Sequence, residues 1–83
     1  MPKMSSAITC AILEEIVNVM RQGFNIGRYK WTTKELSNDI RKILGPNITN
    51  DKVRYILEEY QGCILTPWRK STYGDKVTWE LYE

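Results

Sequence analysis

The side chains best suited to chemistry in this sequence are cationic, and they concentrate in the middle of the chain. Residues 21–54 contain eight Lys and Arg against three Asp and Glu, and the flanking segments are slightly acidic. The outward face of residues 49–62 would hold Lys52, Arg54 and Tyr55, and the polar run 69–76 adds further Lys and Arg. Because the formal net charge is only +2, the basic middle of the chain indicates a localised patch rather than a general polycation.

Most enzyme active sites need residue types that this chain lacks. Histidine is absent, which removes the commonest general base and the commonest metal ligand. Glu58 and Glu59 are adjacent, so on a helix they point in different directions and make a poor acid–base pair. We therefore expect no catalytic residues, no metal site and no cofactor, and an enzyme is the least favoured class.

Length and composition are those of one small globular domain, residues 1–83, with residues 1–5 expected to be frayed. Cys10 and Cys63 are too few for a disulfide framework and lack metal-ligand spacing, so both are expected to be small core residues. No stretch reaches the roughly 18 uninterrupted apolar residues of a membrane span, and Glu14 and Glu15 interrupt the apolar N-terminal segment. We expect no membrane association and an intracellular location, cytoplasmic or, in a eukaryote, nuclear.

The first predicted helix begins at a Ser5 or Ser6 cap, runs to about Gln22 and stops at Gly23. An apolar stripe covers about half its circumference and consists of Ile8, Cys10, Ile12, Leu13, Ile16, Val17, Val19 and Met20. The stripe could pack beneath the two later helices and the sheet. Alternatively, part of it could form a homodimer interface.

The segment 24–31 is too short for a helix and contains a glycine, Gly27. Residues 29–31 fit a brief edge strand with Trp31, and Phe24 or Ile26, pointing inward.

Local chemistry predicts the ends of two further helices. Thr32 and Glu35 form a capping box before an apolar series, which consists of Leu36, Ile40, Ile43 and Leu44. This helix ends at Gly45, and Pro46 prevents its continuation. The next helix begins at a Thr49 cap with Ile48 packed on Val53 as a hydrophobic staple, and Gly62 closes it. Its inward face would consist of Val53, Ile56, Leu57 and Tyr60.

Beyond residue 62 the apolar period changes to that of strands. Residues 63–68 and 77–82 read as two strands, the second with Val77, Trp79 and Leu81 inward. Residues 69–76 between them read as a polar hairpin loop with a turn at Gly74–Asp75. Pro67 has no backbone N–H to donate to a neighbouring strand, so the first of these two strands should lie at a sheet edge or carry a bulge. The three Trp are expected in the core, with Trp68 the first candidate for an exception.

The order helix, short strand, helix, turn, helix and two-stranded hairpin resembles a winged-helix domain over nearly the whole chain. The link 45–48 has the length and the glycine of a helix-turn-helix. The resemblance implies an α+β fold with a three-helix core, a small antiparallel sheet and a wing between the last two strands. It also implies that helix 49–61 enters the DNA major groove and that wing 69–76 lies on the backbone or in the minor groove.

The resemblance implies DNA contacts at three places. On the recognition helix they are Asn50, Lys52, Arg54 and Tyr55, where Asn pairs with adenine and Arg or Lys with guanine. On the wing they are Arg69, Lys70, Ser71, Thr72, Tyr73 and Lys76, which suit phosphate, with Tyr73 able to stack on a sugar or base. Further backbone contacts are Arg28, Lys30, Thr33 and Lys34, the last two at a helix N-terminus.

Ordinary structural roles compete with these contacts. Arg54 is four residues from Glu58 and fits a surface ion pair, and Asp51 suits the helix dipole without a ligand. Lys52 and Arg54 also fit a solvated helix face, and residues 69–76 fit an ordinary exposed loop. Asp51, Glu58 and Glu59 would repel phosphate wherever they face DNA.

Two function classes follow from the resemblance. The first is a small DNA-binding regulator of transcription that binds double-stranded DNA. Its site-specific form would be a homodimer, joined through the first helix or the C-terminal strand, because one module makes few base contacts. The alternative is a winged-helix module for protein–protein interaction, or an inhibitor within a larger assembly, that does not bind DNA. Only DNA binding should weaken steeply with salt.

Overall fold

The computed structural model describes residues 6–62 and 68–81, which form three α-helices and one three-stranded antiparallel sheet. Along the chain they are α1 (Ser6–Asn25), β1 (Lys30–Trp31), α2 (Thr33–Leu44), α3 (Asn50–Tyr60), β2 (Trp68–Tyr73) and β3 (Lys76–Leu81). The predicted α+β class and element order are confirmed. Predictions for residues 1–5, for strand residues 63–67 including Cys63 and Pro67, and for Tyr82 lie outside the described residues.

One hydrophobic core joins all six elements. Its buried members are Ile12, Ile16, Met20, Trp31, Leu36, Ile40, Ile48, Val53, Ile56, Leu57, Trp68, Trp79 and Leu81. All three Trp are buried, so the suggested exception at Trp68 is wrong: its ring nitrogen Nε1 donates to the Leu57 carbonyl at 2.8 Å. This bond supplies the polar partner that a buried indole needs.

Part of the apolar stripe of α1 is core: three of its residues are buried, and Leu13, Val17 and Val19 are partly buried and pack against the core, whereas Ile8 is exposed. Cys10 is exposed, which corrects the expectation that it is a core residue. At about 100° per residue it lies roughly 200° round the helix from Ile12, on the side away from the core.

Helix α1 continues through Gly23 to Asn25, so the predicted stop at Gly23 is wrong. A Cβ at Gly23 would lie 2.5 Å from Cζ2 of the buried Trp31, so the glycine gives the indole room to pack on the helix. The chain turns instead at Gly27, whose φ of 91° favours glycine. Trp31 points inward as predicted, but Phe24 and Ile26 do not: they are 44% and 85% exposed.

The predicted ends of α2 and α3 are confirmed. The Thr32 hydroxyl accepts from the Glu35 N–H at 3.2 Å, and the Glu35 carboxylate accepts from the Thr32 N–H at 3.0 Å, which completes the capping box. The Thr49 hydroxyl accepts from the Lys52 N–H at 3.2 Å. Ile48 and Val53 are buried in the same core, as the staple predicts. Two predicted inward residues, Ile43 and Tyr60, are exposed.

The sheet has the order β1-β3-β2, and a two-residue turn joins β2 to β3. Tyr73 pairs with Lys76, so the turn is Gly74–Asp75 as predicted, with Gly74 at a φ of 61°. The predicted loop 69–76 is otherwise wrong, because Arg69 to Tyr73 continue β2 and pair with β3. Val77 is exposed, whereas Trp79 and Leu81 are buried as expected.

None of the described helices combines the length and the apolarity that a membrane crossing requires.

Candidate nucleic-acid interface

An open groove of about 450 Å³ lies where the first turn of α2 and one side of α3 meet the β2–β3 hairpin. Five of the predicted contact residues line it: Thr33, Lys34, Asn50, Arg54 and Lys70. Glu58, Val77 and Trp79 complete the lining. The groove therefore joins residues from the predicted recognition helix, the predicted wing and the N-terminus of α2.

The groove-facing side of α3 is a stripe of three polar residues, Asn50, Arg54 and Glu58. They are four residues apart, which puts them on one face, and at about 1.5 Å per residue they span roughly 12 Å. At about 100° per residue, the buried residues of α3 centre about a third of a turn round the helix from this stripe. Lys52 and Tyr55 lie outside the groove lining: the Lys52 ammonium donates to the Asn47 carbonyl at 3.2 Å, and Tyr55 packs partly against the core. Tyr55 is therefore only partly outward, because it is half-buried against the core.

The ion pairs of α3 differ from the anticipated Arg54–Glu58 pair. Arg54 Nη2 lies 2.7 Å from Asp51 Oδ1, and Lys70 Nζ lies 3.4 Å from Glu58 Oε1. The Arg54 and Asp51 side chains are 59% and 85% exposed, so their pair contributes at most about 1 kcal/mol to stability. Arg54 can therefore leave Asp51 for another anion at small cost.

Arg41, which was not among the predicted contacts, orients Asn50. Its Nη1 donates to the Ile48 carbonyl and to Asn50 Oδ1, both at 3.0 Å, and its Nη2 donates to Asn38 Oδ1. Because Asn50 Oδ1 accepts from Arg41, the amide hydrogens on Nδ2 are the groups that Asn50 presents for a ligand. A bidentate contact with adenine needs both the oxygen and the NH₂, so this orientation favours a simple donor role.

The floor of the groove ties the sheet to α2. Trp79 Nε1 donates to the Thr33 hydroxyl at 2.9 Å, and the Ser37 hydroxyl donates to the Thr33 carbonyl at 2.7 Å. Having accepted from Trp79, the Thr33 hydroxyl keeps a hydrogen with which it can donate. Thr33 thus combines a structural bond with a donor group at the groove surface.

The predicted wing residues fall on two faces of the hairpin, because successive side chains of a strand alternate. Lys70 and Thr72 share the face of the buried Trp68, whereas Arg69, Ser71 and Tyr73 share the other. Lys76 lies across from Tyr73 and therefore on that other face. Of these residues, the groove lining includes only Lys70, whose backbone N–H donates to Gln61 Oε1 at 3.1 Å. Arg69 instead lays its guanidinium against Gly62.

Arg28 and Lys30 lie outside the groove lining, at the sheet edge opposite β2. Arg28 Nη2 lies 2.7 Å from Glu35 Oε2, and its guanidinium lies 5.3 Å from the centre of the Trp31 ring. Lys30 Nζ lies 3.4 Å from a Glu80 carboxylate oxygen. Both cations therefore have structural partners on this side of the molecule.

The pKa of Glu35 is lowered from its ordinary value by its part in the capping box. The main cause is the hydrogen bond from the Thr32 backbone N–H, and the Thr32 hydroxyl and the Arg28 guanidinium act in the same direction. Together they outweigh the partial burial, which acts to raise the pKa. Glu35 is therefore an ionised structural group beside the start of α2.

No family model, curated protein or solved structure matches this chain. Within residues 6–62 and 68–81, no group of three or more His, Cys, Asp or Glu is arranged to hold a metal ion. The chemistry of the groove is therefore the basis for assigning a function.

Proposed function

We propose that this chain is a small DNA-binding protein, a winged-helix regulator of transcription that inserts α3 into the major groove of double-stranded DNA. The observation that carries the proposal is the convergence of Lys34, Arg54 and Lys70 from three elements on one open groove. These three cations exceed the single acid of the lining, Glu58, and they surround the neutral donors Thr33 and Asn50.

The shape of α3 suits this role. The major groove is about 12 Å wide and admits an α-helix, and the stripe from Asn50 to Glu58 runs along the exposed side of α3. Arg54, in the middle of the stripe, is suited to guanine, whose O6 and N7 both accept hydrogen bonds. Lys34 and Lys70 flank the helix from α2 and β2 and are suited to phosphates on either side.

A homodimer would give such a module enough contacts for a specific site, because each half-site adds its own base contacts. Strand β3 is paired on both sides at Trp79 and Glu80, so strand addition at those two residues is blocked. The dimer contact through α1, or through the rest of the C-terminal strand, stays a prediction.

A second candidate function is protein binding without DNA, as a module or inhibitor within a larger assembly. The exposed apolar side chains of Phe24 and Ile26, together at the end of α1, favour it. An apolar contact of this kind would persist at high salt, whereas phosphate contacts would not.

Fluorescence anisotropy with a mixed-sequence duplex pool, at about 50 and about 200 mM salt, tests the DNA-binding proposal. We expect measurable binding at the lower salt and a steep loss at the higher. The Arg54→Ala variant should have a weaker sequence preference while keeping salt-dependent binding, since it removes a base contact. Absence of binding at both salt concentrations would overturn the proposal and turn the search to protein partners.

A further inference from the structure

Glu58 is the one acidic side chain among the described residues that line the groove. Its side chain is 46% exposed, and its Oε1 lies 3.4 Å from Lys70 Nζ. A carboxylate has two oxygens and about four acceptor positions, so this single contact leaves acceptor capacity for a ligand in the groove. An isolated carboxylate at this place would be repelled by phosphates.

Lys70 offsets that repulsion. The ammonium beside the carboxylate makes the pair electrically neutral, and the Gln61 side chain holds the backbone of Lys70 next to the end of α3. Because the pair is neutral, Glu58 can approach DNA without the full cost of a free negative charge. The carboxylate is then available to read a base.

The remaining groups of the groove are hydrogen-bond donors. Lys34 and Arg54 carry N–H groups, and Asn50 presents its NH₂ because Arg41 holds its oxygen. Such donors match the acceptors N7 and O6 of guanine, whereas a carboxylate matches the N4 amino group of cytosine. Adenine also offers an amino group, but its neighbouring N7 is an acceptor and opposes a carboxylate.

We propose that Glu58 determines sequence specificity by accepting a hydrogen bond from cytosine N4, so that the groove selects G·C pairs over A·T pairs. This inference rests on the proposed DNA binding. Arg54, one helical turn away on the same face, supplies the matching contact with guanine. Asn50, whose oxygen already accepts from Arg41, presents its NH₂ group as a donor.

Two duplex pools with the same flanks, one with a random core of G and C and the other with a random core of A and T, provide the test. We expect wild-type protein to bind the G·C pool about 25-fold more tightly, about fivefold for each of the Arg54 and Glu58 base contacts. Glu58→Gln should lower this ratio about fivefold, because glutamine can also pair with adenine while the Arg54 contact remains. The ratio removes any change in overall affinity that follows from the lost charge.

Glu59→Gln is the matched control, since Glu59 is the exposed neighbour on the same helix and lies outside the groove lining. It changes the net charge by the same amount and should keep the wild-type ratio. A Glu58→Gln ratio equal to that of wild type, or equal wild-type affinity for both pools, would overturn the inference while salt-dependent binding still supports the proposed function. No binding to either pool at low salt would overturn both.

A second measurement uses wild-type protein and modified DNA, and so does not depend on the folding of a variant. When every core cytosine carries an N4-methyl group, the methyl takes the place of the major-groove hydrogen while base pairing persists. Wild-type affinity for the G·C pool should fall about fivefold, and Glu58→Gln should be insensitive to the methylation. An unchanged wild-type affinity would also overturn the inference.

Discussion

Replacing Lys70 by alanine tests whether the groove binds phosphate. Lys70 lies on the helix-facing side of β2, lines the groove and reaches Glu58 across it. Each phosphate contact contributes about 0.9 to the slope of log affinity against log salt. Loss of one contact should therefore make the slope shallower by about 0.9, which is about a 3.5-fold smaller loss of affinity between 50 and 200 mM salt.

The assay is fluorescence anisotropy with the mixed duplex pool at four salt concentrations in this range. We expect Lys70→Ala to weaken binding to the mixed pool because it removes a phosphate contact, which itself carries no base information. The fold should persist, since a partly exposed ion pair contributes at most about 1 kcal/mol. Adding Glu58→Gln to Lys70→Ala removes the carboxylate that is left unpaired and separates its repulsion from the lost contact.

Lys42→Ala is the matched control for this prediction. Lys42 is exposed in the last turn of α2, whereas Lys34 in the first turn of that helix lines the groove. The control removes the same charge from a site outside the groove lining, and it should leave the slope within experimental error of wild type. An unchanged slope in Lys70→Ala, or an equal change in Lys42→Ala, would refute the assignment of phosphate contact to the groove.

Three further predictions concern the fold that holds the groove. Gly23→Ala should destabilise the protein by about 1 kcal/mol in urea unfolding, because overpacking against Trp31 costs about 1–3 kcal/mol and exceeds the helix-propensity gain of about 1 kcal/mol. Arg41→Ala should cost about 2 kcal/mol in the same assay, since it removes charged hydrogen bonds, one of them to a partly buried carbonyl. The lowered pKa of Glu35 means that its ionised form stabilises the fold above about pH 4.3, and that this contribution is lost as pH falls through the lower folded-state pKa. Urea unfolding of Glu35→Gln should therefore show less loss of stability on acidification than wild type.

Each of these variants has a neighbouring control. Gln22→Ala, on the exposed side of α1, should be neutral or slightly stabilising. A Gly23→Ala protein as stable as wild type would contradict the packing argument. For Arg41, the exposed Lys42→Ala should change stability by less than about 0.5 kcal/mol. Glu14→Gln, on α1, should lose as much stability on acidification as wild type does. If Glu35→Gln also loses as much, the capping box is not the source of this acid sensitivity.

Features that depend only on neighbouring residues were predictable from the amino-acid sequence. The caps at Thr32 and Thr49, the end of α2 at Gly45 and the Gly74–Asp75 turn were all predicted correctly. Each involves hydrogen bonds or backbone angles within about four residues. The burial of most of the α1 stripe followed equally from helical periodicity.

Contacts between different elements could not be predicted from the sequence and follow from the tertiary structure. Gly23 is a stop signal in the sequence, but the indole of Trp31 makes it a packing position within α1. The polar run after Trp68 reads as a loop, yet its pairing with β3 makes it a strand and sends Lys70 to one face and Arg69 to the other. In each case the deciding contact joins two different elements of the fold rather than neighbours within one helix or turn.

Some residues of the candidate site were predictable from the sequence and others were not. Its cationic and amide residues were recognisable from their chemistry, and Asn50, Arg54 and Lys70 were predicted contacts that do line the groove. The roles of Arg41 and Glu58 were not recognisable, because each depends on a partner in another element, nine residues away for Arg41 and twelve for Glu58. Side-chain type and local spacing set what a residue can bind, whereas packing of the helices against the sheet sets which residues can bind together.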